Sequence, residues 1–300
     1  GRPMAKKNWL GADLIFDLDA EPDKIAPFIT LSSLDVVREK TINLIEEFLL
    51  PDFGISKNEL QINFSGSRGY HVRVYKKEIQ KLGRGERREI VDYIEGNGLD
   101  FNDFFAEEPI PGRRFARILG PTPSMGGFKG KIARRVINML KNPSTASSIS
   151  PKLKNLKNAE KMIKGINNGK WSDVPITHAM QQFREIFEQT KFRLSSQVSA
   201  DANVTIDTSK ILRLPDSIHG GSGLIAKTVS PSSLPTFSPL SNALAFSPTK
   251  TAKIKAIRTI PAQEFANQTF DEIKKESIAE VPECYAVYLI CKKTALPLKD

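Results

Sequence analysis

Cysteine is nearly absent from this 300-residue chain, with Cys284 and Cys291 its two thiols. That excludes a disulfide scaffold and makes a reducing compartment, the cytoplasm, the expected place. Long apolar runs are missing as well. The longest, Tyr285–Cys291, is a strand's length and far short of the roughly 18 residues of a membrane span, so no membrane partner is expected. No basic-then-apolar leader opens the chain, which starts at Gly1 rather than Met; a tag remnant or a cut end is the expectation there. Acid is scarce in one window. Between Pro111 and Lys170 there are fourteen Lys and Arg (among them Arg113, Arg114, Lys131, Lys152, Lys154 and Lys157) against one acid, Glu160. The window carries +13 while the whole chain carries +10, which leaves −3 everywhere else. The basicity is local, as a polyanion-binding patch requires.

What is present suffices for a folded protein. Apolar residues make up 40%, charged residues 26% and aromatics 8%, which excludes general disorder and allows two ordinary domains or one with an insertion. In Asp13–Asp19, Leu14, Phe16 and Leu18 alternate with Ile15, Asp17 and Asp19, the period of a strand with one buried face. Ser32–Asp35 reads as a capping box opening a helix whose apolar positions keep helical spacing up to Pro51. Glu59–Phe64 and Tyr70–Tyr75 flank a glycine-bearing turn and read as a hairpin.

From about Lys76 to Val198 the spacing turns helical, over 87–94, 129–140, 153–166 and 177–190. The loop Asn142–Pro151 is the best candidate for disorder. Strand character returns at 204–214 and 284–291, with the Ser/Pro-rich stretch 228–248 between them as a surface connection. On a shared strand, Cys284 and Cys291 would point to opposite faces and read as core. The expected plan is an α/β fold: a mixed-sheet core from residues 1–75 and 199–300, with a basic helical insertion at 76–198.

Three patches could carry chemistry. Asp17 and Asp19, two apart on a strand, leave the same face, and like charges so placed repel unless a cation lies between them. Such oxygen ligands suit Mg²⁺ or Mn²⁺, two ions at a phosphate-transfer site; the bland alternative is a solvated strand end. Ser65-Gly-Ser-Arg-Gly-Tyr-His71 offers Ser65, Arg68 and His71 around small residues that let backbone N–H groups face a phosphate. It could equally be a plain turn, with Gly66 and Gly69 supplying positive φ. The third patch holds a carboxylate, Asp201 or Asp207, then Arg213 and a histidine in a small-residue loop, His219. Its alternative is an ordinary strand and turn.

The order Asp17-Leu-Asp19, Ser65-Gly-Ser-Arg-Gly-Tyr-His71 and Asp201…Arg213-Leu-Pro-Asp-Ser-Ile-His219 resembles the catalytic small subunit of archaeal and eukaryotic DNA primases. Trp9–Asp19 and Val281–Cys291 resemble the archaeal form. The resemblance implies an enzyme that starts RNA, and possibly DNA, primers on single-stranded DNA in replication, as a nucleotidyltransferase. It places two divalent ions, Mg²⁺ or Mn²⁺, on Asp17, Asp19 and Asp201, and the incoming nucleoside triphosphate on Ser65, Arg68, His71, Arg213 and His219. It also implies a heterodimer with a large regulatory subunit that carries an iron–sulfur domain.

Relatives commonly have a second arginine where this chain has Ser67, and many have a lysine where it has Gly221. A zinc knuckle frequent between the first two motifs has no ligands here, since 20–64 holds neither Cys nor His. A segment that relatives carry upstream of the first motif is expected to be missing. The basic insertion then reads as a template track, with Phe115, Phe128 and Trp171 as its few aromatic platforms. Its alternatives are solvated helix faces or a subunit surface. The rival functions are a gap-filling or primer-extending relative and a non-catalytic single-strand binder.

Overall fold

The computed structural model describes the chain except positions 1–5, 7, 21–27, 113–115, 175, 177, 197, 199 and 299–300. Arg113, Arg114 and Phe115 of the basic window therefore lie outside the described residues. The chain divides into two compact units, one of residues 1–46, 55–91 and 199–300, the other of 47–54 and 92–198.

The α/β class holds. Strand β1 (Leu14–Asp19) alternates as read, burying Leu14, Phe16 and Leu18. Helix α1 (Leu31–Asn43) starts earlier than the capping-box pattern indicates. Extended Thr30 is its cap, and the hydroxyl accepts the Ser33 N–H at 3.2 Å, satisfying a donor the first turn leaves open. Leu44–Leu49 continues it as a π-helical turn before Pro51. Strands β2 (Leu60–Phe64) and β3 (Gly69–Val74) form the expected hairpin. Helix α2 (Arg84–Glu95) follows.

The second unit is mainly helical. It contains the ribbon β4 (Ala106–Glu108) and β5 (Arg117–Leu119), then α3 (Gly127–Leu140), α4 (Pro143–Ile149), α5 (Leu156–Asn167) and α6 (Ala179–Ser196). Its core is aromatic. Trp171 stands edge-on to Phe105 and Phe183, at 4.9 and 5.2 Å between ring centroids, and its indole N–H donates to the Pro121 carbonyl. Trp171 and Phe128 are thus buried and cannot stack nucleobases. Lys131 is also withdrawn from the basic surface. It is buried in an ion pair with Asp52, whose carboxylate also accepts the Tyr93 hydroxyl at 2.9 Å. The segment expected to be disordered is helix α4, because Asn142 caps Ser144 N–H, Pro143 fits the first turn, and Ala146 and Ile149 are buried.

Back in the first unit, residues 202–206 form helix α7 (Ala202–Ile206), capped by the Asp201 side chain. The strand expected over 204–214 does not form. Residues 207–214 run as an irregular loop with Ile211 and Leu214 exposed, since β-propensity without a neighbouring strand makes no ladder. Next come β6 (Thr228–Val229), α8 (Pro239–Asn242), β7 (Thr251–Ala256), β8 (Gln263–Phe265), β9 (Gln268–Phe270), β10 (Ile278–Pro282), α9 (Glu283–Cys291) and β11 (Ala295–Pro297). The main sheet has the order β1-β3-β2-β6, a second the order β10-β7-β11. All pairings between these strands are antiparallel, so the core sheet is not mixed in direction.

Two readings of the C-terminal region change. The Ser/Pro-rich stretch is partly core: β6 pairs with β2, Leu234 and Leu240 are buried, and Phe237 packs on Phe64 and Tyr70. Residues 284–291 are helix, not strand, because a short apolar run carries no period of its own and a helix buried on most sides suits it equally. Cys284 and Cys291, two turns apart, then lie on one side of α9, the first buried and the second half-buried.

Candidate active site

Strand β1 sets the first wall. Leu14, Phe16 and Leu18 anchor its inner face, so Asp17 and Asp19 leave together on the other. The antiparallel register with β3 places His71 opposite Asp17 and Gly69 opposite Asp19. Gly69 is required by close approach rather than by φ. A Cβ there would run into the Leu18 carbonyl and the Asp19 carboxylate. Positive φ falls on Gly66 alone of the pair, at +80°, which corrects the reading that both glycines supply it.

The β2–β3 turn is tied by one side chain. The Ser65 hydroxyl accepts the N–H groups of Ser67 and Gly69 at 3.3 and 3.2 Å. Against this turn lies the loop 219–223. The buried Ser222 hydroxyl donates to the Gly66 carbonyl, and a Cβ on Gly66 would come within 2.8 Å of His219 Cβ. The Gly221 N–H donates to His219 Nδ1 at 3.0 Å, which leaves Nε2 to carry the proton of the neutral ring.

Asp17 and Asp19, Ser65, Arg68 and His71, and Arg213 and His219 therefore line one cleft of about 360 Å³. Asp201 is exposed and outside the wall, but its backbone N–H donates to the Asp17 carbonyl at 2.8 Å. Asp207 belongs elsewhere, bonded to Ser209 and 3.2 Å from Arg84.

The family model described as DNA primase small subunit matches residues 16–231. The chain is 35% identical to the DNA primase small subunit PriS of Methanosarcina barkeri, over 98% of this chain and 77% of that protein. It is 33% identical to PriS of Methanosarcina acetivorans over the same shares, and 34% identical to PriS of Thermoplasma acidophilum over 79% of this chain and 60% of that one. The chain belongs to the DNA primase small subunit family.

In this family member the cleft is strained electrostatically. Burial, then the charges of Asp19 and Asp201, push the Asp17 carboxyl from its ordinary 3.8 up to about 7, against the smaller pull of Lys210 and Arg68. Its buried Oδ1 has no hydrogen-bond partner, and His71 Nε2 stands 3.4 Å off. Asp19 pairs with Arg68 at 3.0 Å. Burial holds His71 and His219 below the ordinary imidazole range, so both rings are neutral near pH 7. Among the described residues, no group of three or more His, Cys, Asp or Glu is drawn together as a ready-made metal cage. The unpartnered Oδ1 and the like-charge pressure on Asp17 nonetheless fit a cation, which would relieve both.

Sequence reasoning missed three supports of this site. Ser222 fixes the histidine loop to the turn. Lys210 offsets part of the negative charge at Asp17. Arg87, 1% exposed, donates to the carbonyls of Ala12, Asp13 and Leu82 and so holds the start of β1. A lone serine among glycines, or an arginine in an amphipathic helix, gives no periodic signal that would separate it from solvated neighbours.

No helix among the described residues is long and apolar enough to cross a membrane.

Proposed function

We propose that this chain is the catalytic subunit of a DNA primase, joining nucleoside triphosphates into RNA, and possibly DNA, primers on a single-stranded template. One observation carries the proposal: Asp17, with one buried carboxylate oxygen lacking a hydrogen-bond partner and its charge crowded by Asp19 and Asp201, lines the same cleft as Arg68, His71, Arg213 and His219. Asp17, Asp19 and Asp201 would hold two divalent ions, Mg²⁺ or Mn²⁺. When bound, the ions supply neutralisation of phosphate charge and acidify an attacking 3′-hydroxyl.

The chain's own groups bind and orient. Ser65 shapes the turn by accepting the Ser67 and Gly69 N–H groups, Arg68 and Arg213 offer charge-assisted bonds to phosphate oxygens, and His219 presents its Nε2–H. Residues 1–75 and 199–300 form the catalytic part in this reading, with 76–198 as the basic insertion. The expected partners are template DNA, nucleoside triphosphates and a large regulatory subunit, in the cytoplasm. The direct test is primer synthesis from free nucleotides on bare single-stranded DNA with Mn²⁺. Product that appears only when a primer is supplied would favour the primer-extending alternative.

The raised Asp17 pKa sets a pH dependence. An ion requires the ionised carboxylate, and a group titrating at about 7 is roughly nine-tenths ionised at pH 8 and one-tenth at pH 6. The apparent affinity for Mn²⁺, measured by calorimetry, is therefore expected to weaken about tenfold from pH 8 to pH 6, and an unchanged affinity would remove Asp17 from the ligand set.

Lys152, Lys154 and Lys157 are exposed in the basic insertion. Neutralising all three should weaken single-stranded DNA binding and lower the slope of log affinity against log salt by about 2. An unaltered slope would return this surface to ordinary solvation.

A further inference from the structure

Helix α9 ends at Cys291, and Lys292 caps it, with its N–H donating to the Tyr288 carbonyl at 2.9 Å. One turn back on the same face is the Tyr288 ring, whose centroid lies 5.4 Å from the Lys292 ammonium. The helix is packed directly on the histidine loop. A Cβ at Gly223 would come within 2.7 Å of Val287 Cγ1, and the Tyr288 backbone nitrogen is 3.8 Å from the same point. That loop is in turn bolted to the Gly66 carbonyl through Ser222. The end of α9, the loop 219–223 and the turn 65–69 thus form one continuous stack.

Lys292 is half-buried, and among the described residues no carboxylate stands within ion-pair distance of it. The neighbouring Cys291 thiol is held neutral by burial. Burial, then Arg68, lowers its pKa against a smaller opposing pull from Cys291, and burial, then Arg213 and Lys292, lowers that of His219. A half-buried cation with no carboxylate in ion-pair range, on a helix end packed against the histidine loop, is poorly solvated, and a polyanion would relieve it. Ser67 and Gly221, on the turn and loop it approaches, carry no charge of their own.

We propose that Lys292 is a further binding residue of the nucleotide site, lending its ammonium to the polyphosphate tail of the incoming nucleoside triphosphate beside Arg68 and His219. This rests on reading the cleft as a nucleotide site. The Lys292 ammonium rests over the Tyr288 ring, outside the cleft wall; its flexible four-carbon stem lets it swing from the ring to a bound phosphate.

The test compares ATP with AMP, each with Mn²⁺, for wild type, Lys292→Met and Lys292→Arg, by calorimetry and by the kinetics of primer extension. Methionine keeps an unbranched apolar stem at the position and removes the charge. Lys292→Met should weaken ATP binding and raise KM about tenfold, with kcat and AMP affinity little altered, and Lys292→Arg should recover most of the loss. If the methionine variant binds ATP like wild type, Lys292 makes no phosphate contact. Equal weakening of ATP and AMP would mean that α9 has shifted, and would also overturn the proposal. Lys292→Gln repeats the comparison if the methionine variant melts early. Wild-type protein that is folded and binds no ATP with Mn²⁺ would instead overturn the nucleotide reading itself.

Discussion

Asp17→Ala is expected to reduce nucleotide addition by ~10³-fold or more while leaving salt-dependent DNA binding intact. Asp17 is the one carboxylate of the proposed trio with a buried oxygen lacking a partner, and both Asp19 and Asp201 act on its charge. The charge proposed to bind DNA lies in the separate window from Pro111 to Lys170, so the two functions should part cleanly. Asp17→Asn adds a stability signature. A carboxyl whose pKa is raised by folding destabilises the native state as pH rises through the unfolded value, ordinarily 3.8, to the folded value of about 7; the loss is complete above it. At ~1.4 kcal/mol per unit, that shift is on the order of 4 kcal/mol at pH 8 without metal. The asparagine variant should therefore melt about 5 °C or more higher than wild type at pH 8, lose that advantage at pH 4, and gain less from added Mn²⁺. Wild-type activity in either variant would end the metal assignment.

Gly69→Ala is expected to be the most damaging single methyl group in the catalytic unit. Gly69 pairs with Asp19 across the β1–β3 ladder, and an added Cβ would overlap the Leu18 carbonyl and the Asp19 carboxylate. Backbone cannot step aside as a flexible side-chain tip can, so the strands must separate or slip, at a cost on the order of 3 kcal/mol or more. Because the displaced atoms include the Asp19 carboxylate, activity should fall further than the folded fraction does, measured well below the melting temperature. Gly85 is the matched control. It lies in the first turn of α2 with nothing within 4 Å of its would-be Cβ, and Gly85→Ala should be neutral or stabilise by about 0.5–1 kcal/mol. Equal behaviour of the two variants would mean that the β1–β3 approach is looser than the structure has it.

Local patterns made much of this protein legible before its fold. Strict alternation in Leu14–Asp19, with three buried apolar side chains, dictates which way Asp17 and Asp19 point, whatever surrounds the strand. The hairpin followed from two alternating runs around small residues, and helices α2, α3, α5 and α6 from their 3.6-residue spacing. The local charge excess could be read by counting. These properties depend on neighbours in sequence, which is why periodicity reports them.

Where distant segments had to find one another, sequence was silent. Seven apolar residues at 285–291 suited strand or helix equally, and burial against the histidine loop selected helix. Residues 204–214 had strand-like composition, but no neighbouring strand offered a ladder. Lys131, Phe128 and Trp171 looked available to nucleic acid until packing enclosed them around Asp52 and the aromatic core. Asp201 and Asp207 could not be ranked from their spacing alone; the hydrogen bond from the Asp201 amide to the Asp17 carbonyl put one beside the acidic pair, while Arg84 drew the other away. Which acid joins a site depends on three-dimensional distance and on solvent exclusion, and neither is a property of a linear neighbourhood.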